Sequence, residues 1–300
     1  MFTEKTSLII PTRNRVFFLE ELLKQLDLYK VNFLEKLIID SSNVSNSNYV
    51  KNLSKKYVAK YFRTKASTSF QRNYGLKVVN KKAKYIMFLD DDVIFFKDSF
   101  YQMNRTIENN LKVSGYGFNQ ITPLKDNLIE LLKKTKFTKF INLYDTDPGK
   151  LTKGGWQTKI QNLRNDIYVD WIYTTACIYK FEDIKNYRFD ETFGRYSYLE
   201  DLDFSLNLKR NNQKIIVSHL AKYKHPLNID RSSYKFGILE IKNRFKIVQK
   251  NKINLIYFVN SAIFRFIYSL AHSLFKLNPK YLYRAVGNIY GLLNIFFIKK

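Results

Sequence analysis

Short apolar runs alternate with helix-like stretches through the first 120 residues, and this alternation restricts the fold more than any other feature. "TSLIIP" (6–11), "EKLIID" (35–40), "YVAKYFRT" (57–64) and "KYIMFL" (84–89) have the length and apolar density of buried strands. Between them, "RVFFLEELLKQLDLY" (15–29) has the spacing of an amphipathic helix. "TSFQRNYGLKVVNKK" (68–82) reads as a helix with Thr68 or Ser69 near its N-cap, and the polar "SSNVSNSN" after Asp40 suits the start of another. This order predicts an α/β fold with a mostly parallel, doubly wound sheet. Such sheets bind ligands beyond the C-terminal ends of their strands.

Polar residues collect at those ends. Pro11, Thr12, Arg13 and Asn14 follow the first strand, Asp40 and Ser41 the second, and Asp90, Asp91 and Asp92 the fourth. Three carboxylates closing a buried strand are costly if left unpaired. A divalent cation is the simplest compensation, because Mg²⁺ and Mn²⁺ take carboxylate oxygens and are often completed by substrate phosphates. A solvated acidic turn is the other reading. A second acidic group, Glu200, Asp201 and Asp203, falls at a predicted helix start. Acids there suit the helix dipole, and one of them is also placed to act as a general base.

Further along, "PGKLTKGGWQTK" (148–159) reads as a mobile loop and "DIYVDWIYTTACIYKF" (166–181) as extended structure over an inner face. Residues 189–212 pass from a loop into a helix beginning near Glu200, and 214–225 return as one or two strands. Trp171 reads as core or pocket wall. Cys177 is the single cysteine, so an internal disulfide is excluded, which fits a reducing compartment. The opening "MFTEKTSLIIPTRNR" lacks the apolar core of a secretory signal.

The formal net charge of +25 predicts an anionic partner. Charge is dense at the end: residues 232–300 hold twelve Lys and Arg against one acid, Glu240. Residues 253–275 are mostly apolar, yet Asn254, Ser261, Arg265, Ser269, His272 and Lys276 fall on one helical face. An amphipathic helix on a membrane interface, or on the domain, fits this pattern better than a span. No zinc spacing or nucleic-acid module is present, which argues against a nucleic-acid partner. The glycine-free "PTRNRVF" argues against a nucleotidyltransferase.

Several of these segments together resemble the family 2 glycosyltransferases of the GT-A fold, over about residues 5–228. "SLIIPTRNR" resembles the family's first strand and loop, and "LIIDSS" its second strand, whose final acid, here Asp40, holds the nucleotide base. "SFQRNYGL" resembles the segment with an Arg-Asn pair, here Arg72 and Asn73, beside the nucleotide and its diphosphate. "IMFLDDDV" resembles the metal motif, which implies Asp92 as ligand with Asp90 as its partner and Asp91 beside the substrate. "FDETFGRYSYLEDLDFSLNLKR" resembles the block whose Glu-Asp pair, here Glu200 and Asp201, carries the base on its second acid, Asp201. His225 stands where many members place a histidine near the metal. "VDWIYTTACIYK" is similar to the rhamnosyltransferase-like branch, with Thr175 at the usual glycine.

The resemblance implies a GT-A catalytic domain over 1–231, with a nucleotide half to about 120 and an acceptor half over 121–231, followed by a basic helical tail over 232–300. It further implies an inverting transferase using Mg²⁺ or Mn²⁺, a nucleotide-sugar donor and a glycan or lipid-linked saccharide acceptor, in cell-surface polysaccharide synthesis. The tail places it in the cytoplasm, peripheral on the inner face of the membrane. A basic nucleic-acid binder and an inactive membrane-bound scaffold are the rival readings.

Overall fold

The computed structural model describes residues 1–123, 135–136, 140, 147–226, 231–275 and 277–298. Two compact units divide the chain: residues 1–123 with 160–226, and residues 124–159 with 227–300. The half expected over 121–231 is therefore split, its residues 124–159 grouping with the tail.

The first unit is built on one sheet. Its strands are β1 (Thr6–Thr12), β2 (Glu35–Asp40), β3 (Lys60–Arg63), β4 (Tyr85–Leu89), β5 (Ile94–Phe95), β6 (Gly115–Gln120), β7 (Ile167–Val169), β8 (Ala176–Lys180) and β9 (Ile215–Lys224). Their order is β3-β2-β1-β4-β8-β6-β9-β5, with β7 also pairing β9. The β3-β2-β1-β4 side is parallel throughout. β8 then runs antiparallel to both β4 and β6, so the other side is mixed. β1 and β4 are buried along their whole length, which is why neither alternates apolar with polar residues.

Helices α1 (Val16–Leu28), α2 (Val44–Lys56), α3 (Thr68–Val78) and α4 (Ser99–Asn109) connect the early strands, and α5 (Glu200–Arg210) precedes β9. α1 buries Leu19, Leu22, Leu23 and Leu26, one face at helical spacing. Asn43 caps α2 through the Asn46 amide (2.9 Å), and Ser67 caps α3, one residue before the expected start. The third strand is shorter than expected, because residues 57–59 turn out of α2 and close on it through the Ala59 amide.

The second unit holds α6 (Tyr234–Lys250), α7 (Leu255–Phe275) and α8 (Pro279–Leu293). Residues 148–159 are a held turn rather than a loose loop: Leu151 bridges Gln157, and the Thr152 and Thr158 amides donate to the Trp156 and Lys150 carbonyls. Trp156 lies under the Arg244 guanidinium of α6, 3.8 Å from ring centre to carbon. The polar positions of α7 face inward. Ser261 and Ser269 are 0% and 2% exposed, whereas Ile256, Leu274 and Phe275 are 67%, 68% and 84% exposed. Arg265 of α7 joins an internal ion network. Glu240 accepts from Arg284 Nη2 (2.8 Å) and Asn288 Nδ2 (3.1 Å), with Arg265 Nε at 3.7 Å. Lys276, expected on the same polar face, lies outside the described residues.

Candidate active site

The first unit gathers its acidic side chains where the parallel strands end. β4 stops at Leu89, the Asp90 amide donates to the Thr175 carbonyl (2.9 Å), and the chain turns through Asp91 and Asp92. The turn aims three neighbouring carboxylates in three directions. Asp91 points inward, accepting from Thr12 Oγ1 (2.7 Å) and from Arg15 Nη1 (2.9 Å). Asp92 accepts from Arg15 Nη2 and lies 2.9 Å from His225 Nε2. Asp90 accepts from Arg72 Nη2 (2.8 Å) and is the most exposed of the three.

Arg72 joins the two acidic clusters. It projects from α3, is almost completely buried, and donates to Asp90 with one nitrogen and to Glu200 with another. Ser69, one turn earlier on α3, donates to the other Glu200 oxygen (3.1 Å). Glu200 is thus held from two sides, while Asp201 beside it keeps partial exposure. The backbone entering α5 is strained: Ser197 and Leu199 take left-handed φ values of 52° and 74°. Ser197 secures the bend by donating to the Gly194 carbonyl (2.8 Å) and accepting from the Ser69 amide (3.2 Å).

The electrostatics follow from burial set against pairing. Burial pushes the Asp91 carboxyl up to about 7, against the pull of Arg15 and Thr12. Burial likewise pushes Glu200 up to about 7 against Arg72, and Arg72 is itself raised because the surrounding carboxylates outweigh its desolvation. For Asp92, His225 and Arg15 outweigh burial and lower the carboxyl. Burial pulls His225 down, but its bond to Asp92 leaves it raised.

The expected site residues therefore separate. Asp90, Asp91, Asp92, Arg72, Glu200, Thr12 and His225 are joined by direct contacts. Pro11 is buried within β1 opposite Ile39. Arg13 is exposed, and Arg15, which sequence reasoning passed over, takes the carboxylates instead. One residue, Asn14, separates the two arginines; its φ of 54° lets the loop turn Arg15 back over the strand ends. Asp40 is buried, with one oxygen on the Ser42 amide (2.8 Å) and the other on the Tyr61 hydroxyl (3.0 Å). Asn73 braces a loop, exchanging hydrogen bonds with the Phe189 backbone (2.8 and 2.9 Å). Trp171 is 1% exposed and packs edge-on against Tyr173 (4.6 Å), which puts it in the core. Gln71 was also missed. Its buried amide ties the ends of β1 and β2 by donating to the Thr12 and Ile39 carbonyls (3.0 and 2.6 Å).

Asp90 and Asp92 after β4 and His225 after β9 supply two carboxylates and an imidazole, ligand types that suit Mg²⁺ or Mn²⁺. Among the described residues, no three acidic, histidine or cysteine side chains are close enough to hold an ion by themselves. Arg15 and Arg72 occupy the carboxylates in this arrangement.

Residues 7–154 match the family model described as glycosyl transferase family 2. An uncharacterized glycosyltransferase of Rickettsia conorii is 34% identical over 120 residues, which is 39% of this chain and 20% of that protein. Its counterpart in Rickettsia felis is 32% identical over the same length. The chain thus spans about a fifth of the length of these curated relatives. Among solved structures, a mannosyltransferase of Pyrobaculum calidifontis in complex with GDP-mannose and Mn²⁺ superimposes with a TM-score of 0.59 at 11% identity, covering 99% of this chain and 88% of that one. Staphylococcus aureus TarS (residues 1–349) superimposes with a TM-score of 0.51 at 17% identity, covering 95% and 80%. The fold is GT-A.

Proposed function

We propose that this chain, which matches the family 2 glycosyltransferases over residues 7–154, moves a sugar from a nucleotide-diphosphate donor to an acceptor hydroxyl with inversion at the anomeric carbon. The observation that carries this reading is the Arg72 bridge. It brings the Asp90–Asp92 turn and the Glu200–Asp201 helix start to one place, with Asp201 accessible.

Glycosyl transfer builds positive charge on the sugar and negative charge on the departing diphosphate. Asp201 takes the acceptor proton as the hydroxyl attacks, and single displacement with such a base inverts the centre. Glu200 is spent on Arg72 and Ser69, so it positions its neighbour rather than accepting the proton. A divalent ion on Asp92, with Asp90 and His225, would stabilise the leaving diphosphate. The Pyrobaculum mannosyltransferase, with GDP-mannose and Mn²⁺, supports both a nucleotide-sugar donor and a metal of this kind. Asp40 and Arg13 at the neighbouring strand ends are assigned to the nucleotide.

The acceptor is a glycan or lipid-linked saccharide of a cell-surface polysaccharide, met at the cytoplasmic face of an anionic membrane. Support comes from the second unit. Its outward surface carries Ile256, Ile267, Phe275, Tyr283 and Phe297, while its basic charge is largely unopposed.

Calorimetric titration with UDP, GDP, dTDP and CDP, with and without Mn²⁺, tests the reading. Metal-dependent binding of one nucleotide is expected. A folded chain that binds none of the four would leave an inactive scaffold as the better description.

A further inference from the structure

The three aspartates already carry cations of the chain's own. Arg15 spans Asp91 and Asp92, His225 faces the other Asp92 oxygen at 2.9 Å, and Arg72 holds Asp90. Of the two arginines, Arg15 is the one free to leave. Its side chain is 42% exposed, whereas Asp91 and Asp92 beneath it are 4% and 2% exposed. Arg72 is enclosed and fixed at both ends. While Arg15 bonds the aspartates, its guanidinium also lies 4.9 Å from the centre of the partly exposed Phe18 ring.

We propose that Arg15 is a resident counter-cation that a divalent metal displaces from Asp92, and that the freed guanidinium then pairs with the diphosphate of the nucleotide. This rests on the transferase reading for the identity of the anion. The physical argument is a charge count. A metal arriving while Arg15 remains bound would crowd a divalent cation against a guanidinium at buried carboxylates, where repulsion is poorly screened. A metal arriving as Arg15 leaves replaces one counter-charge by another. The released guanidinium, planar and forked, suits the paired oxygens of a phosphate. Asp91 keeps its bond to Thr12 and so remains anchored during the exchange. Metal and nucleotide must then bind with positive coupling, each tightening the other by the same factor.

The test is direct Mn²⁺ binding, followed by electron paramagnetic resonance at fixed pH, for the intact chain with and without nucleoside diphosphate. In the parent chain, Mn²⁺ alone should bind weakly and tighten tenfold or more with the nucleotide that the calorimetric screen selects. In Arg15→Gln, Mn²⁺ alone should bind about tenfold tighter than in the parent, and the tightening by nucleotide should shrink. Arg15→Lys, which keeps the charge and loses the fork, should hold metal binding weak while still losing nucleotide coupling. A brace that only shapes the turn predicts the opposite sign, since its removal loosens the ligands. Unchanged or weaker Mn²⁺ binding in a folded Arg15→Gln protein, judged by circular dichroism, therefore overturns the proposal. If no nucleotide binds the parent, the transferase reading fails by itself, and the metal-only comparison still decides whether Arg15 competes with the ion.

Discussion

Asp201 and Glu200 are adjacent, equally acidic and differently employed. Glu200 is buried between Arg72 and Ser69, and Asp201 is only partly covered. Asp201→Asn should fold normally and lose transfer by about 10²–10⁴-fold, the usual share of a general base, in a steady-state assay with the selected donor. Near-full activity would remove the assignment. Arg72→Ala tests the other side of the division. It strands Glu200 and Asp90 without their shared cation, so unfolding in denaturant should show a loss of about 3–5 kcal/mol. The acids of this site were legible because charge at the end of an apolar strand stands out in any sequence. Their cations were harder to read. "PTRNR" offers two arginines, and only the backbone turn at Asn14 decides that the second reaches the carboxylates. Asn73 sits beside Arg72 in sequence but leaves α3 toward the Phe189 backbone, a direction that spacing alone does not give.

At the scale of elements, α6 and α8 meet backbone to backbone. A methyl group added at Gly237 would land on the Arg284 carbonyl, and one at Gly287 on the Tyr234 carbonyl. Neither obstacle is a side chain that can swing aside, so the helices must separate. Gly287→Ala should lower the stability of the second unit by about 1–3 kcal/mol and expose α6 to proteolysis before the sheet, as followed by limited digestion. Element positions in the first unit were largely readable, since strand and helix differ in period there. The turn at 148–159 was not. Its glycines and lysines look unstructured, and what holds it is Trp156 against Arg244, almost ninety positions away. The inward polar face of α7 had the same cause. Its serines and Arg265 repeat at helical spacing, but the acid that Arg265 turns toward, Glu240, belongs to another helix.

At the scale of the molecule, charge and apolar surface act together. Vesicles containing anionic lipid should capture the protein at low salt and release much of it at high salt, where surface charges are screened. Phe275→Asp should weaken capture in flotation assays without changing nucleotide binding. Acid should act on the second unit by a separate route. Burial raises Glu240, but Arg284, Arg265 and Arg244 overcome it and hold the carboxyl down at about 2. A depressed carboxyl adds stability that is fully present above its ordinary pKa of 4.5 and is lost as pH falls toward 2. The loss should be about 3 kcal/mol, visible as a falling melting temperature for α6–α8 across that window.

The chain's route between its units also sets an order of assembly. The excursion at 147–159 lies in the second unit, where Trp156 packs on Arg244. On the ribosome, the sheet has its final strand once residue 224 emerges, yet the excursion waits for the helices that follow. At about 5–20 residues per second, that wait lasts several seconds. Trp156 spends it without Arg244, so a chain interrupted between β9 and α6 would carry a finished sheet and an orphaned hairpin that chaperones and proteases could recognise.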